Sequence, residues 1–136
     1  MATASRTPAQ MFALVFGIVY LAVGLLGFAV TGFDDFFADT GEALIVFPVN
    51  PAHNLVHILL GAVWLGAARA HASAKAVNTG IGAAYLLVFV VGLFGALQWL
   101  NIDAGVNADA LLHLVSGLAA VFFGTAGATS SRTATA

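Results

Sequence analysis

Residues Met11–Phe33 read "MFALVFGIVYLAVGLLGFAVTGF", and this stretch, which contains no charged residue, decides the fold. An α-helix rises 1.5 Å per residue, so about 20 apolar residues cross a hydrocarbon core about 30 Å thick. The stretch is long enough for one crossing and longer than the apolar core of a typical secretory signal. It therefore predicts a retained transmembrane helix over residues 11–33.

Three further apolar runs follow, and they predict spans over residues 52–70, 78–100 and 108–128. Apolar residues make up 61% of the chain and charged residues only 7%, whereas an ordinary soluble domain has about 25% charged residues. The sequence therefore predicts an all-α membrane protein, a single domain over residues 1–136 with four transmembrane helices. The small polar segment at residues 129–136 is predicted to be a disordered tail.

The charged residues fall on alternate sides of these four spans. All the cations lie before the first span, around the predicted loop 71–77 or in the tail; they are Arg6, Arg69, Lys75 and Arg132. All the acids lie in or beside the loops 34–50 and 101–107; they are Asp34, Asp35, Asp39, Glu42, Asp103 and Asp109. Because cytoplasmic loops are enriched in Lys and Arg, both termini are predicted to be cytoplasmic and both acidic loops external, in a multi-pass plasma-membrane protein.

Two tryptophans and one histidine lie near the ends of the predicted spans. Trp64 and Trp99 are predicted at the two membrane interfaces, where indole rings are enriched. His71, in the predicted cytoplasmic loop, is expected to be solvated.

The chain contains an internal repeat of two helices. "GIVYLAVGLLG", from Gly17, matches "GAAYLLVFVVG", from Gly82, with glycine and tyrosine at the same spacing. "LVHILLG", from Leu55, likewise matches "LLHLVSG", from Leu111. Each copy contains two crossings, so the sequence predicts two helical hairpins related as a parallel repeat. Gly61 and Gly117, one turn past the matched histidines, are expected to face the bundle, because small residues let membrane helices approach closely.

Two polar motifs begin the second and fourth spans. They read "NPAHNLVH", Asn50–His57, and "NADALLH", Asn107–His113. Both spans start on the same side of the membrane, so their first turns lie at similar depth and four side chains are predicted to converge: His53, His57, Asp109 and His113. Imidazole and carboxylate groups are ligands for zinc and other first-row divalent ions. His57 and His113 are predicted to face each other, and two facing histidines are also a candidate axial pair for haem.

A structural interpretation of the same motifs stays open. Asn50 and Asn107 are favourable helix N-caps, and Pro51 suits the first position of a helix. Asp109 suits the positive end of a helix dipole. In this interpretation the histidines only bridge neighbouring helices.

The sequence lacks the motifs of several function classes. It contains no glycine-rich phosphate loop, no Ser–His–acid set and no basic patch for nucleic acid, and it has no cysteine nucleophile or thiolate ligand. The leading prediction is a non-enzymatic accessory or scaffolding subunit of a larger membrane complex or a homo-oligomer. The alternative is a metal- or haem-binding redox protein that uses the paired motifs. A small transporter or channel is the third candidate.

Three stretches carry a family resemblance: "RTPAQMFALVFGIVYLAVGLLGF", "NPAHNLVHILLGA" and "NADALLHLVSG". Over Arg6–Gly124 the chain resembles the small four-helix membrane proteins described as domain of unknown function 4383, which are found mostly in actinobacteria. The resemblance implies a four-span membrane protein and supplies no activity. Ala110 departs from the family pattern, in which asparagine often follows the aspartate of the second motif, and this difference argues against chemical equivalence of the two motifs.

Overall fold

The structure is a computed structural model that describes residues 5–39 and 41–129. It is mostly helical, with four helices: α1 (Pro8–Thr31), α2 (Pro51–Ala67), α3 (His71–Gly92) and α4 (Ala108–Gly124). A two-stranded antiparallel hairpin, β1 (Ala43–Leu44) and β2 (Phe47–Pro48), lies between α1 and α2. A short 3-10 turn, Gln98–Leu100, lies between α3 and α4. The predicted disordered tail, apart from residue 129, lies outside the described residues.

Helix α1 begins three residues before the predicted span because a capping box fixes its first turn. The Thr7 hydroxyl accepts a hydrogen bond from the Gln10 backbone N–H (3.4 Å), and the Gln10 side chain accepts one from the Thr7 N–H (3.1 Å). Such reciprocal bonds satisfy backbone donors that the helix itself leaves unpaired. Of the described helices, α1 and α3 are long and apolar enough to cross a membrane. Helices α2 and α4, with 17 residues each, are shorter than their predicted spans.

The predicted loop 71–77 is wrong, since these residues form the first two turns of α3. Their sequence, "HASAKAV", contains no proline or glycine, and alanine and lysine are strong helix formers. The polarity of this segment marks where the apolar run ends, and the helix continues through it. Helix α3 also ends eight residues before the predicted limit of 100, followed by Gly95, whose φ of +72° stops a regular helix.

The helices alternate in direction, and the two ends of the bundle differ in charge. At one end, here called the basic end, Gln10 Nε2 donates to the Ala68 carbonyl (3.2 Å) and the Thr7 hydroxyl lies 2.9 Å from His71 Nδ1. His71 is therefore paired with the start of α1, which corrects the expectation that it is only solvated. The opposite end, here called the acidic end, contains the starts of α2 and α4 with Asp103 and Asp109.

Close backbone contacts join α1 to α2 and α3 to α4. A Cβ placed on Gly61 would lie 2.6 Å from the Leu21 nitrogen and 2.9 Å from the Gly17 carbonyl oxygen. A Cβ placed on Gly82 would lie 2.7 Å from the Val121 nitrogen and 2.9 Å from the Gly117 carbonyl oxygen. Glycine is required at both positions because the opposing atoms belong to backbone and cannot rotate away.

A buried polar link joins α1, α2 and α3 near the basic end of the bundle. The indole Nε1 of Trp64 donates to Asn78 Oδ1 (3.0 Å), and Asn78 Nδ2 donates to the Ala9 carbonyl (3.0 Å). Trp64 and Asn78 are both completely buried. Trp64 therefore does not face lipid: its N–H has a partner inside the protein, so the ring does not need to reach water. Its predicted depth near a membrane interface stays a prediction.

The outer surface of the helices is apolar and the interior is mixed. Large apolar side chains are exposed on each of the four helices, among them Ile18, Leu25, Leu59, Val63, Leu87, Val90, Val115 and Leu118. Buried positions include polar residues, among them Asn50, His53, Asn54, Asn78, Asp109, His113 and Ser116.

Candidate metal centre

Helices α2 and α4 begin with the same asparagine cap. Asn50 Oδ1 accepts from the His53 backbone N–H (2.9 Å), and Asn107 Oδ1 accepts from the Ala110 N–H (2.8 Å). Both caps have extended backbone conformations, and Pro51 occupies the first position of α2. The predicted asparagine caps are confirmed, so part of the repeated motif has a structural role.

The first turn of α2 is also tied to the loop that follows α3. The Asn50 side-chain amide donates to the Trp99 carbonyl (3.0 Å) and to the Ala38 carbonyl (3.3 Å). Asn101, in the left-handed conformation, donates from Nδ2 to the Val49 carbonyl (3.3 Å). These bonds connect the hairpin region, α2 and the segment before α4, and they hold the acidic end of the bundle in one arrangement.

Three of the four predicted site residues meet inside this end. His53, Asp109 and His113 each offer one ligand atom, and these atoms all lie within 4.8 Å of one another. The three residues are 3%, 4% and 5% exposed, respectively. The imidazole centroids of His53 and His113 are 6.3 Å apart, with the ring planes inclined by 23°.

The hydrogen bonds within this group leave several atoms free to bind a metal ion. His113 Nδ1 lies 2.9 Å from the Asp109 carbonyl oxygen, which can only accept, so Nδ1 carries the proton and Nε2 has a free lone pair. Asp109 Oδ2 lies 3.2 Å from the same Nδ1 but has no hydrogen-bond partner among the described residues, and neither does His53 Nδ1. Buried polar atoms are normally paired, so an unpaired atom on each of two residues of this group indicates a place for a ligand.

His57 lies beside this group without belonging to it. Its ring centroid is 4.5 Å from that of His53 and 5.1 Å from that of Tyr20. The histidine that stacks near His113 is His53, whereas the sequence analysis expected His57 there. Depth below the cap was the only quantity used in that expectation, and the direction of each side chain around its helix also decides which residues meet.

Two tyrosines complete the aromatic surroundings of the histidines. Tyr85 stacks on His113 with centroids 5.1 Å apart, and Tyr20 contacts His57 edge to face at the same separation. The two tyrosine rings are 5.7 Å apart. Neither tyrosine was among the site residues predicted from the sequence, although their matched positions in the two copies were a signal that they would share a site with the histidines.

A cavity reaches the group from the acidic end. Its volume is about 150 Å³, and its lining includes Asp109 itself, Asp103 and Asn107, with Val46 and Pro48 of the hairpin region. An ion arriving from outside the bundle would meet two carboxylates before the imidazoles. Two imidazole nitrogens with one carboxylate oxygen suit zinc and other first-row divalent ions, and three protein ligands leave a fourth tetrahedral position open.

Comparison with known proteins identifies the family but no activity. Residues 10–126 match the family described as "Domain of unknown function (DUF4383)". No curated protein and no solved structure matches the chain. The match covers both histidine motifs and all four helices apart from the first two residues of α1. The chain therefore belongs to the DUF4383 family, in agreement with the resemblance in its sequence.

Proposed function

We propose that this protein is a four-span integral membrane protein that binds a divalent first-row transition-metal ion through His53, Asp109 and His113. The observation that carries the metal assignment is the buried group of three ligand atoms within 4.8 Å of one another. The bilayer placement has separate support, from the apolar outer surface of the helices and from the distribution of charge.

The distribution of apolar surface supports insertion of all four helices. Helices α2 and α4 have 17 residues each, which corresponds to about 25 Å at 1.5 Å per residue. They are slightly short for a typical core, and adjoining residues and local thinning of the bilayer accommodate such differences at modest cost. Large apolar side chains cover the outside of α2 and α4 as they do on α1 and α3. Exposed apolar patches of this extent are rare on soluble monomers.

Charge supports one orientation in the membrane. The basic end contains Arg69 and Lys75, whereas Asp103 and Asp109 lie at the acidic end. Because cytoplasmic loops are enriched in positive charge, this distribution supports an orientation with the basic end in the cytoplasm and the metal group near the external surface.

Residues that are matched in the repeat make matching contacts. A Cβ placed on Gly17 of α1 would lie 2.9 Å from the Leu65 nitrogen of α2, and one placed on Gly82 of α3 would lie 2.7 Å from the Val121 nitrogen of α4. The pairs Tyr20–His57 and Tyr85–His113 have the same centroid separation of 5.1 Å. These correspondences support two parallel-repeat hairpins. In this alignment His53 matches Asp109, so the metal group combines unlike residues from the two copies.

A single ion fits the group better than haem does. Bound at about 2.0–2.2 Å, an ion would draw the three donor atoms to roughly 3.5 Å apart, which needs small side-chain movements from the present separations of up to 4.8 Å. Haem would need a wide slot beside the histidines, and the neighbouring cavities have volumes of only about 150 and 170 Å³. The roles of accessory subunit, homo-oligomer, redox protein and small transporter stay predictions, and each is compatible with a bound ion.

Metal content tests the proposal. The protein is purified from membranes without chelator, and bound first-row metals are measured by mass spectrometry. One ion per chain is expected, with loss of the ion in His53→Gln and in Asp109→Asn. The control is Asp103→Asn, which removes a nearby carboxylate that is not in the ligand group and is expected to retain the metal. Metal-free protein, or equal metal content in all variants, would contradict the proposal.

A further inference from the structure

A second cavity opens on the side of the bundle, between α1 and α4. Its volume is about 170 Å³. Its lining includes Val19 and Leu112, which are 49% and 43% exposed and therefore lie at the mouth. Tyr20 and Ser116 also line it and are 8% and 7% exposed, so the inner end is polar. In the proposed bilayer placement the mouth faces hydrocarbon, and the cavity is open to molecules dissolved in the membrane.

His57 contributes a polar side chain that is not fully hydrogen-bonded. It lines the cavity, and its Nδ1 is buried without a hydrogen-bond partner in the described part of the chain. Buried polar atoms are normally paired. A molecule that enters with a carbonyl or hydroxyl group would hydrogen-bond the His57 imidazole, whose two nitrogens donate or accept according to the tautomer.

The size of the cavity limits what can enter. An engineered apolar cavity of about 150 Å³ in another protein holds one benzene ring, so about 170 Å³ accommodates one substituted six-membered ring. A bulkier group would have to remain outside. The remaining lining residues, Phe16 and Val23, are apolar and suit the faces and edges of such a ring.

We infer that this cavity binds the ring of a lipid-soluble monocyclic quinone or phenol. The ring would lie between α1 and α4 with an oxygen hydrogen-bonded to His57, beside Tyr20 and Ser116, and its apolar tail would leave between Val19 and Leu112. The inference rests on the bilayer placement and is independent of metal binding, because none of the three proposed metal ligands lines this cavity.

Trp64 provides a built-in reporter for occupancy. Its ring centroid lies 4.9 Å from that of Tyr20 and 5.6 Å from that of Phe16, both of which line the cavity. The chain has two tryptophans, so Trp99→Phe leaves Trp64 as the only indole. A quinone bound in the cavity would quench this fluorescence.

The experiment titrates decyl-substituted benzoquinone into Trp99→Phe protein in lipid nanodiscs, with and without chelator. Saturable quenching is expected in both conditions. Ser116→Leu, which fills the cavity, should abolish the saturable component, and His57→Phe should weaken half-saturation about tenfold by removing one buried hydrogen bond. Val115→Leu, a change at a lipid-facing neighbour that is 63% exposed, is the matched control and should bind normally.

Two results would overturn the inference. One is quenching that rises linearly with quinone and never saturates, which indicates simple partition into lipid. The other is saturable quenching that persists unchanged in both Ser116→Leu and His57→Phe. If Ser116→Leu does not fold, His57→Phe alone decides the outcome. A failure here with metal still bound would leave the metal proposal intact, and the reverse result would leave the quinone site intact.

Discussion

Replacement of Gly82 by alanine should separate α3 from α4. The new Cβ would lie 2.7 Å from the Val121 nitrogen and 2.9 Å from the Gly117 carbonyl oxygen. Favourable contacts between heavy atoms lie at about 3.5–4.0 Å, so the helices would have to move apart by about 1 Å. Overpacking of this kind typically costs about 1–3 kcal/mol. In the proposed bilayer placement the loss matters because lipid supplies no hydrophobic force to hold the helices together.

Gly80→Ala is the matched control for this change. Gly80 lies two residues away on the same helix, and a Cβ there would meet no other atom within 4 Å. Both substitutions gain the same helix propensity, about 1 kcal/mol, so their difference isolates the collision. Unfolding free energies measured in bicelles by steric trapping should place Gly82→Ala about 1–3 kcal/mol below Gly80→Ala. Equal stabilities would refute the close packing of α3 on α4.

Two further predictions concern the interior and the topology. Asn78→Leu removes the side chain that accepts from the Trp64 indole and donates to one backbone carbonyl. This change should lower the free energy of unfolding by about 2 kcal/mol or more. The control is Thr79→Val, at the next residue, which should change stability little. The chain has no cysteine, so Asp103→Cys should react with a membrane-impermeant maleimide on intact cells, and Lys75→Cys should react only after lysis; the opposite pattern would reverse the proposed orientation.

Sequence pattern predicted the existence of the four helices better than their limits. Hydropathy locates apolar side chains, so it finds the apolar part of a helix and misses turns of the same helix that are polar. The polar start of α3, from His71 onward, was therefore assigned to a loop. The Asn50 and Asn107 caps were predictable because their chemistry is local, requiring one side-chain oxygen beside backbone N–H groups within three residues.

The interior contacts could not be predicted from the sequence because they depend on how the helices cross. Tryptophan is typical of membrane interfaces, and its residue type alone does not show that the Trp64 indole is buried. The indole lies inside the bundle, where it donates a hydrogen bond to Asn78, 14 residues along the chain. His53, Asp109 and His113 were identified as candidates from their spacing, but spacing along each helix could not decide between His53 and His57 as the neighbour of His113. That choice is made by the rotation of α2 relative to α4.

X-ray absorption spectroscopy of the bound metal tests the central claim most directly. The account predicts a first shell with two imidazole nitrogens and a carboxylate oxygen at about 2.0–2.2 Å, contributed by His113, His53 and Asp109. His53→Gln, which is expected to lose the ion on purification, should show one imidazole fewer when it is reloaded with excess metal, whereas His57→Gln should leave the shell unchanged. A shell of oxygen atoms alone, or a spectrum that His53→Gln does not alter, would contradict the claim that these three residues hold the ion.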